Sequence, residues 1–139
     1  MREGVLAILY REKKGSLPIL SSKDYLVVKN SRTGNWSFVA GGKEPRESLL
    51  QAIKREIREE AGIAEKDLIN IWLLPFLNEF NSDKGKQRQR CFAAELKRDA
   101  KASAGDGVSE VAWLAEKKVF DKIRIPGLKR VFESYLRRA

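Results

Sequence analysis

The sequence predicts a single α/β domain over residues 1–139, and three observations carry that expectation. Short apolar runs bounded by turn formers read as strands on either side of one central helical stretch. A second amphipathic helical pattern follows the last of these runs. The hydrophobic fraction of 42% supports a packed core, and a chain of this length buries about two-thirds of its unfolded surface without disulfide or metal staples.

The elements follow in order. Gly4 to Tyr10 (GVLAILY) reads as a first strand, Arg11 to Pro18 as a polar turn, and Tyr25 to Lys29 (YLVVK) as a second apolar strand. Asn30 to Asn35 (NSRTGN) is dense in turn formers, and Trp36 to Ala40 is a short strand leading into the diglycine Gly41-Gly42. After Pro45 neither Gly nor Pro occurs until Gly62, and most residues between are good helix formers, so a helix of about four turns is expected. Pro45 suits a first helical position and Gly62 the residue just past the end. Leu68 to Phe80 is a long apolar strand interrupted at Pro75, Asn81 to Gly85 a turn, and Lys86 to Lys97 a strand with clear alternation at its start. Asp99 to Gly107 forms a loop and Glu110 to Leu114 (EVAWL) a further strand. Ala115 to Phe120 and Gly127 to Arg138 are helical, the latter with Leu128, Val131, Phe132 and Tyr135 on its apolar face. No repeat or low-complexity tract interrupts this order.

Composition removes several kinds of chemistry. There is no histidine, so Ser-His and Cys-His catalytic pairs and His-ligated zinc are excluded. Base catalysis then falls to a carboxylate, a lysine or water activated by a metal. The one cysteine, Cys91, excludes an internal disulfide, fits a reducing, cytoplasmic compartment, and reads as an inert buried thiol in mid-strand. No apolar run approaches a membrane span, and the first residues lack a signal-peptide pattern, so no membrane partner is expected. Net charge is +9, from 28 Lys and Arg against 19 Asp and Glu. That balance favours nucleotides, polyphosphates or RNA as partners, with a generically charged surface as the plain alternative.

The central helix carries the chemistry. At 100° per residue Leu50, Ile53 and Ile57 share a stripe about 60° wide, the face that packs on the core. Glu56, Glu59 and Glu60 gather on the flank of that stripe, within about 100° of one another, while Gln51, Lys54 and Arg58 point outward. Three carboxylates crowded beside a buried face repel one another, and the outward Glu47–Gln51 and Lys54–Arg58 pairs do not relieve them. A divalent cation with hard oxygen ligands, Mg²⁺ or alternatively Mn²⁺, relieves the repulsion better and keeps positions open for water and phosphate. The plain alternative is a charged surface helix.

From Gly41 to Ile63 the chain reads GGKEPRESLLQAIKREIREEAGI. This resembles the Nudix box, Gly-x5-Glu-x7-Arg-Glu-U-x-Glu-Glu-x-Gly-U with U a bulky aliphatic, and all nine specified positions are filled. The resemblance implies an α/β/α sandwich with a mixed sheet, the box helix on one face and a C-terminal helix. It also implies metal-dependent hydrolysis of a diphosphate linkage. Carried over residue by residue, Gly41 offers its carbonyl to a metal, and Glu56, Glu59 and Glu60 hold the metals. Glu47 and Arg55 brace the loop and helix, for which a carboxylate–guanidinium fork is the natural physics. Two positions depart from the common pattern. Val39-Ala40 stands where many members have Pro-Gly, and Arg46 stands where many have Gly before the box glutamate. Arg46 either alters the loop or reaches toward phosphate.

Substrate-binding candidates lie outside the box. Lys86, Arg88 and Arg90 fall on one side of their strand and Gln87, Gln89 and Cys91 on the other. The cations, joined by Lys84 in the turn, could clasp a polyphosphate or an RNA 5′ end, or simply protect an edge strand. Trp36, Phe38, Phe76 and Phe80 could stack a base, with a core role as the alternative. Several Nudix enzymes draw a further glutamate from the loop before a late Trp-bearing strand. Glu110 matches that position and is the expected general base, ahead of Glu95, Asp106 and the box residue Glu56.

Three functions remain open at this point. The first is hydrolysis of a nucleoside polyphosphate, either a dinucleoside polyphosphate or a nucleoside triphosphate. The second is hydrolysis at RNA 5′ ends, and the third a catalytically silent nucleotide-binding module. Oligomeric state is not encoded in any of these patterns.

Overall fold

The structure is a computed structural model that describes residues 2–13 and 22–138. Its elements are β1 (Arg2–Glu12), β2 (Lys23–Asn30), β3 (Trp36–Ser37), β4 (Val39–Gly42), α1 (Leu49–Ala61), β5 (Leu68–Ser82), β6 (Gly85–Leu96), β7 (Val108–Leu114), α2 (Glu116–Lys122) and α3 (Pro126–Arg138). Of the polar turn expected over Arg11 to Pro18, residues 14–18 lie outside the described residues, and Arg11 and Glu12 complete β1.

The seven strands form one mixed sheet with the path β3-β2-β1-β6-β5, while β4 pairs with β1 and β7 with β2. β1 and β6 run parallel, with Leu6 opposite Cys91. The other pairs are antiparallel. β1 is the axis of the sheet. On one edge its first half pairs with β4 (Val5 with Gly41) and its second half with β2 (Leu9 with Leu26).

Strand alternation sorts the core into two layers. Val5, Ala7 and Leu9 face Ala52, Ile53 and Ile57 of α1, whereas Leu6, Ile8 and Tyr10 share a cluster with Val119 of α2 and Val131 and Phe132 of α3. The result is an α/β/α sandwich with the sheet between α1 and the α2–α3 pair. Phe132 anchors the second layer, 5.0 Å from the Tyr25 ring in a T-shaped contact and 5.6 Å from Phe38. Truncating a fully buried aromatic of this kind costs about 3–5 kcal/mol.

Three boundaries differ from the sequence expectation, each for a local reason. α1 starts at Leu49 rather than at Pro45, because Ser48 forms a capping box. Its Oγ accepts from the Gln51 backbone N–H at 3.1 Å, and Gln51 Oε1 accepts from the Ser48 N–H at 2.8 Å. Such a cap is worth about 1 kcal/mol. Pro45 falls in a turn, freeing Glu47 to sit in a loop. Gly62 ends the helix with φ of 67°, as expected of a left-handed terminus. β5 runs unbroken through Pro75, since β5 is an edge strand and its ladder with β6 shifts register between Leu73 and Leu77. Trp36 to Ala40 divides at the fully buried Phe38, β3 pairing with β2 and β4 with β1.

Candidate active site

The β4–α1 junction is built around a missing side chain. Val39 packs in the α1 layer and Gly41, two residues on, faces the same way. A Cβ on Gly41 would overlap the carboxyl of Glu56, so only glycine lets that carboxyl lie against the strand. A Cβ on Gly4, in the neighbouring β1, would come within 2.7 Å of the Gly41 carbonyl oxygen. The backbone around Gly41 is therefore bare on both strands.

One guanidinium ties this junction together. Arg55 Nε donates to Glu47 Oε2 at 2.6 Å, and Nη2 donates to Glu47 Oε1 at 2.9 Å and to the Gly42 carbonyl at 2.9 Å. Nη1 donates to Glu56 Oε1 at 2.7 Å and Glu59 Oε2 at 3.3 Å. Loop, strand and helix thus meet on one planar group with a fixed fork of donors. The hydrogen bond from Arg55 holds the Glu47 carboxyl down at about 2, aided by the backbone N–H of Glu44 at 2.9 Å. Arg55 in turn is pushed further into its charged state by Glu47.

The helix carboxylates are under the opposite pressure. Burial raises Glu56, with the Arg55 hydrogen bond pulling it back. Burial pushes Glu60 up to about 7, opposed by the Ala40 N–H at 3.1 Å from its Oε1 and reinforced by the charges of Glu56 and Glu59. Gly41, Glu47, Arg55, Glu56, Glu59 and Glu60 are brought together as the box spacing implied.

The donor set suits a hard divalent cation. Glu56 Oε2, Glu59 Oε1 and Glu60 Oε2 each lack a hydrogen bond among the described residues, and no nitrogen or sulfur donor competes. Among the described residues no three such side chains already close on a common point. Crowded like charges, with Glu56 buried among them, and an all-oxygen set nevertheless fit Mg²⁺ or Mn²⁺.

A feature outside the sequence expectation fixes the far end of α1. The Ser103 N–H donates to the Ala61 carbonyl at 2.9 Å, Gly105 to Glu60 at 3.0 Å and Asp106 to Glu59 at 2.8 Å. The loop before β7 therefore takes up the last helical carbonyls, including those of two candidate ligands. A Cβ on Gly105 would overlap the Glu59 carbonyl, and the glycine-rich composition of the loop was the available signal.

Other candidates are dispersed. Glu110 lies on β7 opposite Lys29 of β2 and accepts from its Nζ at 3.1 Å. By alternation it shares the α2–α3 side with Ala112, the face turned away from the box carboxylates. The structure does not bring it to the cluster. Asp106 caps α1 through its backbone, and Glu95 lies in β6. Arg46 is exposed in the turn before α1. Lys86, Arg88 and Arg90 alternate onto the α1 face, where Arg90 sits opposite Val5, itself opposite Gly41. Arg88 Nε approaches Glu79 at 3.4 Å. Burial pushes the Cys91 thiol up to about 12, in keeping with inertness.

On the other face of the sheet a cavity of about 480 Å³ opens between β6 and the start of α3. Phe38 floors it and Phe80, 41% exposed, stands at its rim. Leu128 and Ile125 form the opposite wall. Of the four aromatics singled out in the sequence, Phe38 and Phe80 line this space, while Trp36 and Phe76 pack at the edge of the second core layer. The cavity reaches Ala40, whose N–H holds Glu60. Its polar groups include the buried Asn78, which donates from Nδ2 to Gln89 Oε1 at 2.9 Å. This pair was missed in the sequence because it exists only through the register that sets Asn78 opposite Gln89.

Comparison with known proteins agrees with this geometry. A family model described as NUDIX domain matches residues 1–135. An Ap4A hydrolase from C. elegans, solved as a binary complex, superposes with a TM-score of 0.79 at 16% identity, covering all of both chains. The NUDIX domain of Shewanella oneidensis NrtR, complexed with ADP ribose, gives 0.80 at 19% identity, covering 99% of this chain and 88% of that one. Among curated proteins, the 8-oxo-dGDP phosphatase NUDT18 of Danio rerio is 40% identical over 52 residues, a stretch of 35% of this chain and 16% of that protein.

Proposed function

The chain belongs to the Nudix family of hydrolases, and on that premise we propose that it cleaves the diphosphate linkage of a nucleoside polyphosphate with Mg²⁺. A dinucleoside polyphosphate or a nucleoside triphosphate is the substrate, and residues 1–139 act as one domain in the cytoplasm. The observation that carries this reading is the adjacency of two unlike sites at Ala40. Its backbone N–H holds the carboxylate Glu60, and the residue itself lines a cavity walled by Phe38, Phe80 and Leu128. A nucleoside seated in the cavity would direct its phosphates toward the carboxylates. The Ap4A hydrolase and the ADP-ribose-bound domain among its structural neighbours support a diphosphate-linked nucleotide.

The roles follow from the contacts. Glu56, Glu59 and Glu60, with the Gly41 carbonyl, would hold the cation. When bound, Mg²⁺ supplies neutralisation of phosphate charge and acidification of water. Arg55 orients Glu56 and Glu59 through Nη1 and is itself held in plane by Glu47. Glu56 Oε2, the oxygen that Arg55 leaves free, would take the proton of the attacking water in place of a cation contact, leaving Glu59, Glu60 and the Gly41 carbonyl to hold the cation during that step. Arg88 and Arg90, on the carboxylate face, would counter the charge of a long phosphate chain. Arg46 would meet phosphate at the loop.

The basic row also favours a second reading, an RNA 5′ end as substrate. A catalytically silent module has no physical need for a crowded carboxylate cluster, and the cluster speaks against it. Incubating the protein with a panel of nucleoside polyphosphates, diphosphate-linked nucleotides and 5′-triphosphorylated RNA tests the proposal, with products resolved chromatographically with and without Mg²⁺. Metal-dependent cleavage of a diphosphate-linked member is expected. No cleavage of any member with Mg²⁺ or Mn²⁺ would overturn it.

A further inference from the structure

A second cavity, of about 520 Å³, adjoins the first and has the opposite character. Lys29, Trp36, Lys118, Asp121, Lys122 and Arg124 line it. Four of these are cations and one is an anion. Lys29 is already held by Glu110 at 3.1 Å, but Lys118, Lys122 and Arg124 make no ion pair among the described residues. The Lys122 ammonium lies over the Trp36 ring, 5.0 Å from its centroid, which fixes a long side chain that would otherwise swing freely.

The two cavities are lined by consecutive residues. Trp36 lines the basic one and Ser37 the apolar one; Arg124 lines the basic one and Ile125 the apolar one. Ala40, at the carboxylate end, and Trp36, at the basic end, are four residues apart in chain. Chain length limits their separation to about 14 Å, a distance that one nucleotide and an extended Lys or Arg side chain can bridge. Along residues 36–40 the basic cavity, the nucleoside cavity and the Glu60 contact therefore follow one another in chain order. The carboxylate end handles the 5′ phosphates of a bound nucleotide, so a cationic site at the other end answers to charge leaving the nucleoside from its far side.

We propose that Lys118, Lys122 and Arg124, with Trp36 as the platform for Lys122, form a phosphate-binding site for the ribose 3′ side of the nucleotide. The chemical class is a nucleotide carrying phosphate at both its 5′ and 3′ oxygens. A 3′-phosphomonoester on a small nucleotide and a 3′–5′ phosphodiester in a polynucleotide share that chemistry. The inference rests on the nucleoside reading of the first cavity and adds a second anchor that no part of that reading requires. Neither Glu110, which neutralises Lys29, nor Asp121 reaches the net charge of the three free cations.

Calorimetric titration of the full chain with ADP, with adenosine 3′-phosphate 5′-diphosphate and with the dinucleotide pApA beside AMP tests it. The 3′-phosphorylated compound is expected to bind about tenfold tighter than ADP. That ratio is expected to shrink as salt rises, because exposed charges are screened. In the Lys122→Ala/Arg124→Ala double variant, and partly in Lys118→Ala, the ratio should fall toward one while ADP affinity itself holds. A gain for pApA over AMP assigns the site to a polynucleotide strand; a gain confined to the monoester assigns it to a small 3′-phosphorylated nucleotide. ADP binding with no 3′-phosphate preference, or a preference that survives the double variant, would overturn the inference alone. Absence of ADP binding altogether would overturn the nucleoside seat and this inference with it.

Discussion

Arg55 and Glu47 form a two-pronged ion pair across eight residues of chain, Nε to Oε2 at 2.6 Å and Nη2 to Oε1 at 2.9 Å. The same guanidinium reaches Glu56 and Glu59 through Nη1 and the Gly42 carbonyl through Nη2. The pair therefore locks a loop onto a strand and aims two helix carboxylates. A lysine has one point charge where the site uses a planar fork. Arg55→Lys is expected to lower turnover by at least ~10²-fold, as loss of a precisely aimed charge-stabilising group does, and to reduce the melting temperature while leaving the chain folded. Steady-state rates beside circular-dichroism melts check this. Rates within about threefold of wild type would remove the fork from the machinery.

The Glu47 carboxyl, held at about 2 against an ordinary 4.5, makes a stability statement with a definite sign. A carboxyl lowered in the folded state stabilises the fold above the unfolded value, and that contribution is lost as pH falls toward the folded one. Urea midpoints of wild type and Glu47→Gln should therefore differ fully near pH 6. The gap should narrow between 4.5 and 2. A gap that widened toward acid would show that Glu47 is not the group held charged by Arg55.

What the sequence made legible, and what it did not, divides by range. The helix and its carboxylates were readable because box spacing and 100° periodicity are local facts. The helix start was displaced from Pro45 to Leu49 because two start signals competed, and the Ser48–Gln51 capping box prevailed over a proline that fits a turn equally well. Strand identities survived, but register did not. Asn78 meets Gln89, and Glu110 meets Lys29, only through pairings set across the sheet. The cations of β6 drew attention by charge, while Gln89 on the opposite face, uncharged, proved to line the cavity. Pro75 interrupts the ladder with β6 rather than the strand itself, because an edge strand tolerates a missing donor where its register shifts.

Gly41 should tolerate no side chain. Since a Cβ would overlap the Glu56 carboxyl, Gly41→Ala must displace either β4 or that carboxyl. The strand is fixed by its ladder to β1, so Glu56 moves. A fall in turnover of at least ~10²-fold is expected, with the fold retained by circular dichroism. Alanine at Gly42, where φ is not positive and a Cβ would meet only the Arg2 guanidinium at 3.8 Å, is the control for the general effect of replacing glycine. Equal, small effects at both positions would refute the crowding argument.

Glu59→Gln and Glu60→Gln separate catalysis from stability. Each removes a candidate ligand charge, so turnover at saturating Mg²⁺ should fall by at least ~10²-fold. Each also relieves like-charge repulsion, and at Glu60 a buried charge that burial itself disfavours. Melting temperatures in EDTA should thus be unchanged or higher than wild type, most of all for Glu60→Gln. The stabilising effect of added Mg²⁺, which follows from binding the folded state alone, should shrink in both. Unaltered Mg²⁺ stabilisation in both variants would move the cation elsewhere.

Glu110 and Glu56 compete for the role of general base, and the fold sets them on opposite faces of the sheet. Sequence position favoured Glu110, in the loop-proximal part of a Trp-bearing strand. The register of β2 and β7 instead sets it opposite Lys29, in an ion pair 58% exposed on the Glu110 side, on the face away from α1. Glu56 is 8% exposed, lies against Gly41, and has Oε1 fixed by Arg55 with Oε2 free. A base must come within hydrogen-bond reach of the water it deprotonates, directly or through one further water, and only Glu56 shares a cluster with the other carboxylates. Glu110→Gln is therefore expected to keep turnover within about twofold and leave the pH–rate profile unmoved. Glu56→Gln should lose ~10³-fold or more, within the range of a lost base. Were Glu110→Gln to cost about tenfold and flatten the acidic limb, β7 would have to leave its pairing at Lys29 during turnover, and the base would be Glu110 after all.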